Sequence, residues 1–379
     1  MKDSGLRKNF GVVALVFLMG VLGNACGPRI GGYHDAILDT TEHRIYNGFM
    51  FIKMERPDDA QREFDRALIL NPKSSAAHRG MGIVYGMKGD FKSAFASMDL
   101  AMALAETDEE KTLACTGMMS LRMMEKGKGW LVRVEEDFKR ALTFSTHMPE
   151  PYFELGMAYK RSFDIPHAKL AFEKVIQMNK GLVGEAQEQL LILNKMDKAE
   201  AKSEVGRLIL LVDRITRAQT AVLLIAETDL DEQLERVPAA RPPESSAPSV
   251  KKEGVPLPAD VSGHIYEDLI QKALRLRIRG LSAFSDGTFG PDEYMTRATF
   301  AVIIADIIGR LHEIPLFVPT GLRFKDVRPD SPYYRAVMIC TEGAGILDTK
   351  GDLFETMGTL SGVDALLSFR KVERKLRTP

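Results

Sequence analysis

Cysteine is scarce in this chain: Cys26, Cys115 and Cys340 are the only three in 379 residues. So few thiols exclude a disulfide scaffold. Cys115 and Cys340 lie inside apolar helical patterns and are expected to be buried thiols, not a bridge. A surplus of charge is also missing. Lys+Arg total 51 against 52 for Asp+Glu, a net charge of −1, which gives no argument for a nucleic-acid partner. The seven histidines (His34, His43, His78, His147, His167, His264 and His312) are scattered, with no HExxH pattern and no Cys-His spacing for a metal. There is no GxSxG elbow, no phosphate-binding loop and no dinucleotide glycine fingerprint. Asp286-Gly287 lacks the alternating acidic ligands of a calcium loop and reads as a turn. The expectation is a non-enzymatic protein with no catalytic residues, no metal and no cofactor. A long hydrophobic run is absent too, since the apolar run from Phe10 to Leu22 is too short to span a bilayer.

That run carries a different message. Lys2, Arg7 and Lys8 precede it and Gly23-Asn24-Ala25-Cys26 closes it, the order of an export signal over residues 1–25. Cys26 after a small residue resembles a bacterial lipoprotein site, although Gly23 stands where a leucine is usual. The resemblance implies a lipid on Cys26 and a membrane as partner. Gly23 and Ala25 equally fit ordinary cleavage before Cys26. Both readings put the chain in the cell envelope, in the periplasm or on the outer membrane if it is lipid-anchored, with residues 26–40 as a tether.

Residues 41–182 repeat. Gly48, Gly82, Gly117 and Gly156 recur at spacings of 34, 35 and 39. Behind them come Ala60, Phe64, Ala67 and Pro72, then Ala94, Met98 and Ala101, then Phe138 and Ala141, then Ala168 and Phe172. Four units of this kind resemble the tetratricopeptide repeat (TPR), two helices packed through small residues. The third unit carries about five extra residues, expected at Lys126–Trp130 between its helices. The resemblance implies a helical solenoid whose first helices line a concave groove holding Ile45, Phe49, Ile52, Ile83, Ala114, Met118, Leu121, Phe153 and Met157. Such a groove suits a protein or peptide ligand with an apolar face. The same residues equally fit packing against neighbouring helices.

Residues 183–236 read as a short helix at Glu185–Leu193 followed by a long amphipathic stretch over 198–236. Leu208, Ile215 and Val222 repeat at seven there, as do Leu211, Ala218 and Ile225. The stretch is expected to cap the solenoid, or to pair with its copy in a homodimer. Residues 237–259 hold six prolines and read as a linker between modules that move independently.

The C-terminal region opens with Asp260-Val261, then a helical run, then Asp286-Gly287-Thr288-Phe289, then Thr296-Arg297-Ala298 and an apolar stripe of Phe300, Ile303, Ile304, Ile307, Ile308 and Leu311. Thr296 is a good N-cap. Arg297, in a first turn that disfavours cations, is explained either by an anion joining it or by solvation. Residues 260–312 resemble the S-layer homology (SLH) motif, a module that holds bacterial surface proteins on cell-wall polysaccharide. The resemblance implies wall-polymer contacts at Thr296, Arg297, Asp286, Gly287 and Asp260. A second copy over 313–379 repeats Asp326-Val327 sixty-six residues on and Phe354 sixty-five on, with Ser361 and Asp364 as cap and partner. Gly362 stands in the arginine's place, so this copy's ligand site is in doubt. The family groups its motifs in threes and only two are apparent, so the pair is expected to dimerise, to dock on the 198–236 stretch, or to serve as a partial anchor. The basic end, Arg370 to Arg377, reads as a solvated helix terminus.

The expected architecture is all-α: a TPR helical solenoid, a flexible linker and a C-terminal pair of α-helical SLH motifs. The expected function is an envelope adaptor that binds an acidic secondary cell-wall polysaccharide or peptidoglycan-linked polymer and holds a protein partner in its groove. The alternative is a periplasmic TPR lipoprotein assembling a secretion, pilus or envelope complex, its SLH pair structural only.

Overall fold

The computed structural model describes residues 39–237, 256–311 and 323–377. The export signal, Cys26 and most of the proline-rich stretch lie outside the described residues. The fold is all-α. Among the described residues strand pairing is limited to isolated bridges. The chain divides into two compact units, residues 1–189 and 190–379.

The first unit holds eight described helices before the one in which the division falls: α1 (Thr41–Lys53), α2 (Pro57–Leu70), α3 (Ser75–Met87), α4 (Phe91–Leu104), α5 (Asp108–Glu125), α6 (Trp130–Phe144), α7 (Glu150–Arg161) and α8 (Ile165–Met178). Their starts are written locally. Thr40, Ser74, Asp90, Thr107 and Asp164 each accept a backbone N–H of the first turn, which satisfies a donor that the helix leaves free. Consecutive helices pair as hairpins, and each first helix also packs on the first helix of the next hairpin, the nearest-neighbour stacking of a solenoid.

The repeated glycines explain the close approach. A Cβ on Gly48 would sit 2.5 Å from the Phe64 ring, and one on Gly80 would collide with the same ring. Phe64 of α2, fully buried, is thus clamped between the backbones of α1 and α3. Phe172 stands against Gly156 in the same way. The extra residues of the third unit mostly lengthen its first helix: α5 has 18 residues where α1, α3 and α7 have 13, 13 and 12. The loop at 126–129 is short, with Lys126 in the left-handed region at φ 51°.

The second unit begins inside α9 (Val183–Ala199), longer than the short helix expected there. The 198–236 stretch is not one helix. It forms α10 (Glu204–Leu210), α11 (Arg217–Glu227) and α12 (Leu230–Arg236), because cap residues interrupt the apolar pattern. Ser203 caps α10, and Thr216 with Gln219 forms a capping box that starts α11. Of the heptad-spaced residues, Ile215 and Val222 are buried while Leu208 is exposed. After residue 255 come α13 (Glu267–Arg275), α14 (Arg297–Leu311), α15 (Tyr334–Met338) running into a π turn at Ile339–Gly343, and α16 (Gly362–Arg377).

These helices form three related motifs, not two. Thr216, Thr296 and Ser361 each accept the N–H three residues on and cap α11, α14 and α16. The residues just before those caps meet: Met295 N–H donates to the Ile215 carbonyl and Ile215 N–H to the Leu360 carbonyl, both at 2.9 Å. Bridges join Thr216 to Tyr294 and Thr296 to Thr359. α11 packs on α13 and α16, and α12 on α14. The missing motif therefore comes from residues 204–236, and the apolar faces expected to need a homodimer are covered within one chain. Docking on the 198–236 segment is the alternative observed. Residues on both sides of the proline-rich stretch belong to this unit.

Cys115 and Cys340 are free and buried, as expected. Burial pushes the Cys115 thiol up to about 11. The basic end is not simply solvated. Arg370 donates to the carbonyls of Ala199 and Glu200 and pairs with Glu373, and Lys371 reaches the Ile346 carbonyl and Asp348.

Candidate functional site

Two motif arginines do the same work. Arg217 donates Nε to the Phe289 carbonyl at 2.7 Å, Nη1 to Gly280 and Nη2 to Ser282, and lies over the Phe284 and Phe289 rings. Arg297 donates Nε to the Phe354 carbonyl at 2.8 Å and Nη2 to Asp348, over the Phe354 ring. Each arginine thus ties its own motif to the loop of the next one. Burial lowers the pKa of both, opposed by nearby carboxylates: Glu293 and Asp260 for Arg217, and Glu355, Asp364, Asp348 and Asp326 for Arg297. Arg297 is half-buried, not simply solvated. Its Nε and Nη2 groups are committed to backbone carbonyls.

The other expected wall-contact residues hold the same framework. Asp260 accepts the N–H groups of Phe289 and Gly290, at 3.0 and 2.7 Å. Asp326 repeats this with Phe354 and Thr356, and these bonds hold its pKa low against the desolvation that raises it. Asp286 accepts the N–H and hydroxyl of Thr288, which lowers its pKa. Gly287, at φ +85°, closes that turn by donating to the Phe284 carbonyl, a backbone angle that glycine adopts without strain. Of the five residues, Thr296 lines a cleft.

That cleft has a volume of about 390 Å³, within the range of small-ligand sites. Thr296 and Thr299 line it with Ser282, Glu293 and the aromatic side chains of Phe284, Tyr294 and Tyr333, and Arg217 forms part of its wall. The three rings are 40, 51 and 36% exposed. Exposed rings beside hydroxyls and a carboxylate are suited to a ligand with apolar faces and polar edges. The neighbourhood of Arg297 is different: four carboxylates act on it, and one of them, Asp364, is held by Lys195 at 2.7 Å.

Sequence reasoning missed Arg217, Phe284, Tyr294 and Tyr333. The signal was present, because Thr216-Arg217-Ala218 repeats Thr296-Arg297-Ala298 eighty residues earlier. The proline-rich insertion stretched that offset beyond the sixty-five of the other pair.

In the repeat unit the expected groove residues split. Leu121 is fully buried and Met118 is 8% exposed. Both join Ala94 and Met98 in a core cluster, so they line no groove, a correction that follows from the inward turn of this face of α5. Ala114 is likewise fully buried. Phe49, Ile52, Ile83 and Met157 are partly buried and pack on core clusters. Phe153 meets Phe172 edge to face at 5.4 Å, and Ile45 is half-buried. Polar groups among them escaped the sequence reading. Arg79 lies 4.6 Å from the Phe49 ring centroid, its pKa pushed down to about 10 by desolvation against Glu150 and Glu110. Burial raises the pKa of Glu154, opposed by a hydrogen bond from Ser120.

Among the described residues no group of three or more His, Cys, Asp or Glu could hold a metal ion, and no helix is long and apolar enough to cross a membrane. Residues 260–301 match the family model of the S-layer homology domain. No curated protein matches the chain. A solved structure described as "Functional Characterization of Pseudomonas Aeruginosa pilF" is 19% identical, covers 45% of this chain and 80% of its own, and superposes with a TM-score of 0.31. An S-layer homology domain therefore lies within the second unit, contributing α13 and the start of α14.

Proposed function

We propose that the protein is a non-enzymatic adaptor of the cell envelope. Its second unit holds a cell-wall saccharide, an acidic secondary wall polysaccharide or peptidoglycan-linked polymer, and its helical repeats hold a protein or peptide partner. The observation that carries this reading is the cleft where Phe284, Tyr294 and Tyr333 stand exposed around Thr296, Thr299 and Glu293. Sugar rings present C–H faces that stack on aromatic rings and hydroxyl edges that bond to threonine and carboxylate oxygens. The S-layer homology match over 260–301 supports the ligand class. For the repeats, the half-buried Phe49, Ile52, Ile83, Phe153 and Met157 support an apolar peptide surface. Membrane attachment through Cys26 belongs to the same proposal.

The test is co-sedimentation of the full chain with purified cell wall. Tyr294→Ala and Tyr333→Ala should each weaken binding roughly fivefold, since one aromatic contact is worth about 1 kcal/mol, with thermal unfolding unchanged. Wild-type binding by both variants would remove the cleft from the proposal.

A further inference from the structure

We infer that Arg214 reads the acidic group of the wall saccharide, which rests on the saccharide-binding reading of the cleft and assigns the charge that recognises the ligand. The two arginines at the motif starts are committed in part to other partners. Arg217 gives three N–H groups to carbonyls and Arg297 gives two, and both lie on rings of their own unit. A guanidinium committed in this way has fewer of its five N–H groups left for a ligand carboxylate.

Arg214 is placed differently. It is exposed, and among the described residues it makes no hydrogen bond or ion pair; it lies over the ring of Tyr294, whose centroid is 3.9 Å from its Cζ. Tyr294 lines the cleft and is half-exposed. The ring therefore holds Arg214 beside a residue of the cleft by a cation–π contact, which orders the planar group and leaves its N–H edges open. Glu293, the carboxylate in the cleft, acts electrostatically on Arg217, so the two charges of the wall offset one another. Arg214 supplies the positive charge left over. A carboxylate on a sugar stacked in the cleft would meet a pre-oriented fork, and a neutral sugar would not use it.

The experiment compares the full-length wild-type chain with Arg214→Gln on two probes: purified cell wall, and the same wall after carbodiimide amidation, which turns its carboxylates into neutral amides and leaves the sugar rings. Amidation should weaken wild-type binding roughly tenfold, the scale of an ordered but solvent-exposed charge-assisted pair. Arg214→Gln should show the same loss on untreated wall and no further loss on amidated wall, and its binding should lose the salt dependence of the wild type. Arg214→Lys should recover part of the loss. Thermal unfolding should change little, because Arg214 makes no hydrogen bond or ion pair among the described residues and an exposed cation–π contact contributes little to stability. Equal binding of Arg214→Gln and wild type to untreated wall overturns the assignment, as does wild-type binding that amidation leaves untouched; in both cases saccharide binding itself still stands. Wild type that fails to sediment with either wall overturns the saccharide reading and the assignment with it.

Discussion

At the scale of single residues, the two motif arginines show that a cation in a first helical turn need not mark a ligand. Arg297 offsets its unfavourable place at the start of α14 by bonding the carbonyls of Phe354 and Asp348, groups that would otherwise be left with unmet acceptors. Arg297→Ala should therefore act on stability. Losing charged hydrogen bonds of this kind costs about 2 kcal/mol, which for a unit of this size lowers Tm by about 4–8 °C. Arg297→Lys should recover little, since a lysine cannot reproduce the planar fork. Differential scanning calorimetry checks both, and an unchanged melting transition in Arg297→Ala would show that these bonds carry no net stability. Glu154 supplies a test of opposite sign in the repeat unit. Desolvation raises its folded pKa above the ordinary value of 4.5. The stability tied to its protonated form is full below the ordinary pKa and is lost as pH rises through the folded pKa. Glu154→Gln should gain on the wild type between pH 4 and pH 8, seen as a difference in Tm that widens with pH. A gap that stays constant over this range would show that Glu154 ionises without cost.

At the scale of elements, legibility followed the repetition of local signals. The glycine spacing of the first unit was readable because each glycine faces a large side chain of a neighbouring helix, as Gly48 and Gly80 face Phe64 and Gly156 faces Phe172. That constraint recurs at nearly fixed length. The lengthening of α5 was not readable, since about five added residues look the same in a helix or a loop. The third motif escaped for two reasons. Its cap box at Thr216 and Gln219 lies inside an apolar heptad pattern that also fits one long helix. It also lacks the Asp286-Gly287 and Gly351-Asp352 turns of its relatives: Ile209 stands seven residues before Thr216, where Phe289 and Phe354 stand before Thr296 and Ser361. Gly362 is the counterpart of that change. A Cβ there would collide with the Ile209 carbonyl, and Gly362 N–H bonds the Val212 carbonyl at 2.8 Å. The glycine that looked like a lost binding residue is the place where the second copy closes against the third motif. The cleft was the least legible feature, because its lining comes from α11, α14 and three separate loops, and the sequence does not order those in space.

At the scale of the whole molecule, the second unit is assembled from segments on both sides of the proline-rich stretch. What joins them is mostly independent of chain continuity. Arg217 bonds three carbonyls between residues 280 and 289, the backbones of 215–218 and 291–295 exchange hydrogen bonds, and Arg310 reaches the carbonyls of Leu234 and Val237. Ile215, Ala218, Val222, Ile270 and Leu274 are buried where α11 packs on α13. Burial of side chains of this size contributes about 1.5–3 kcal/mol each, enough together to hold two fragments at micromolar concentration, where a Kd of 1 μM corresponds to about 8 kcal/mol. A specific protease site placed between residues 238 and 255 of the full chain should therefore be cut without dissolving the unit. The two fragments should co-elute in gel filtration, separate only in denaturant, and sediment together with cell wall. Fragments that part on cutting, with the C-terminal one alone still binding wall, would show that residues 204–236 are dispensable and that the pair of motifs after residue 259 forms the binding unit by itself.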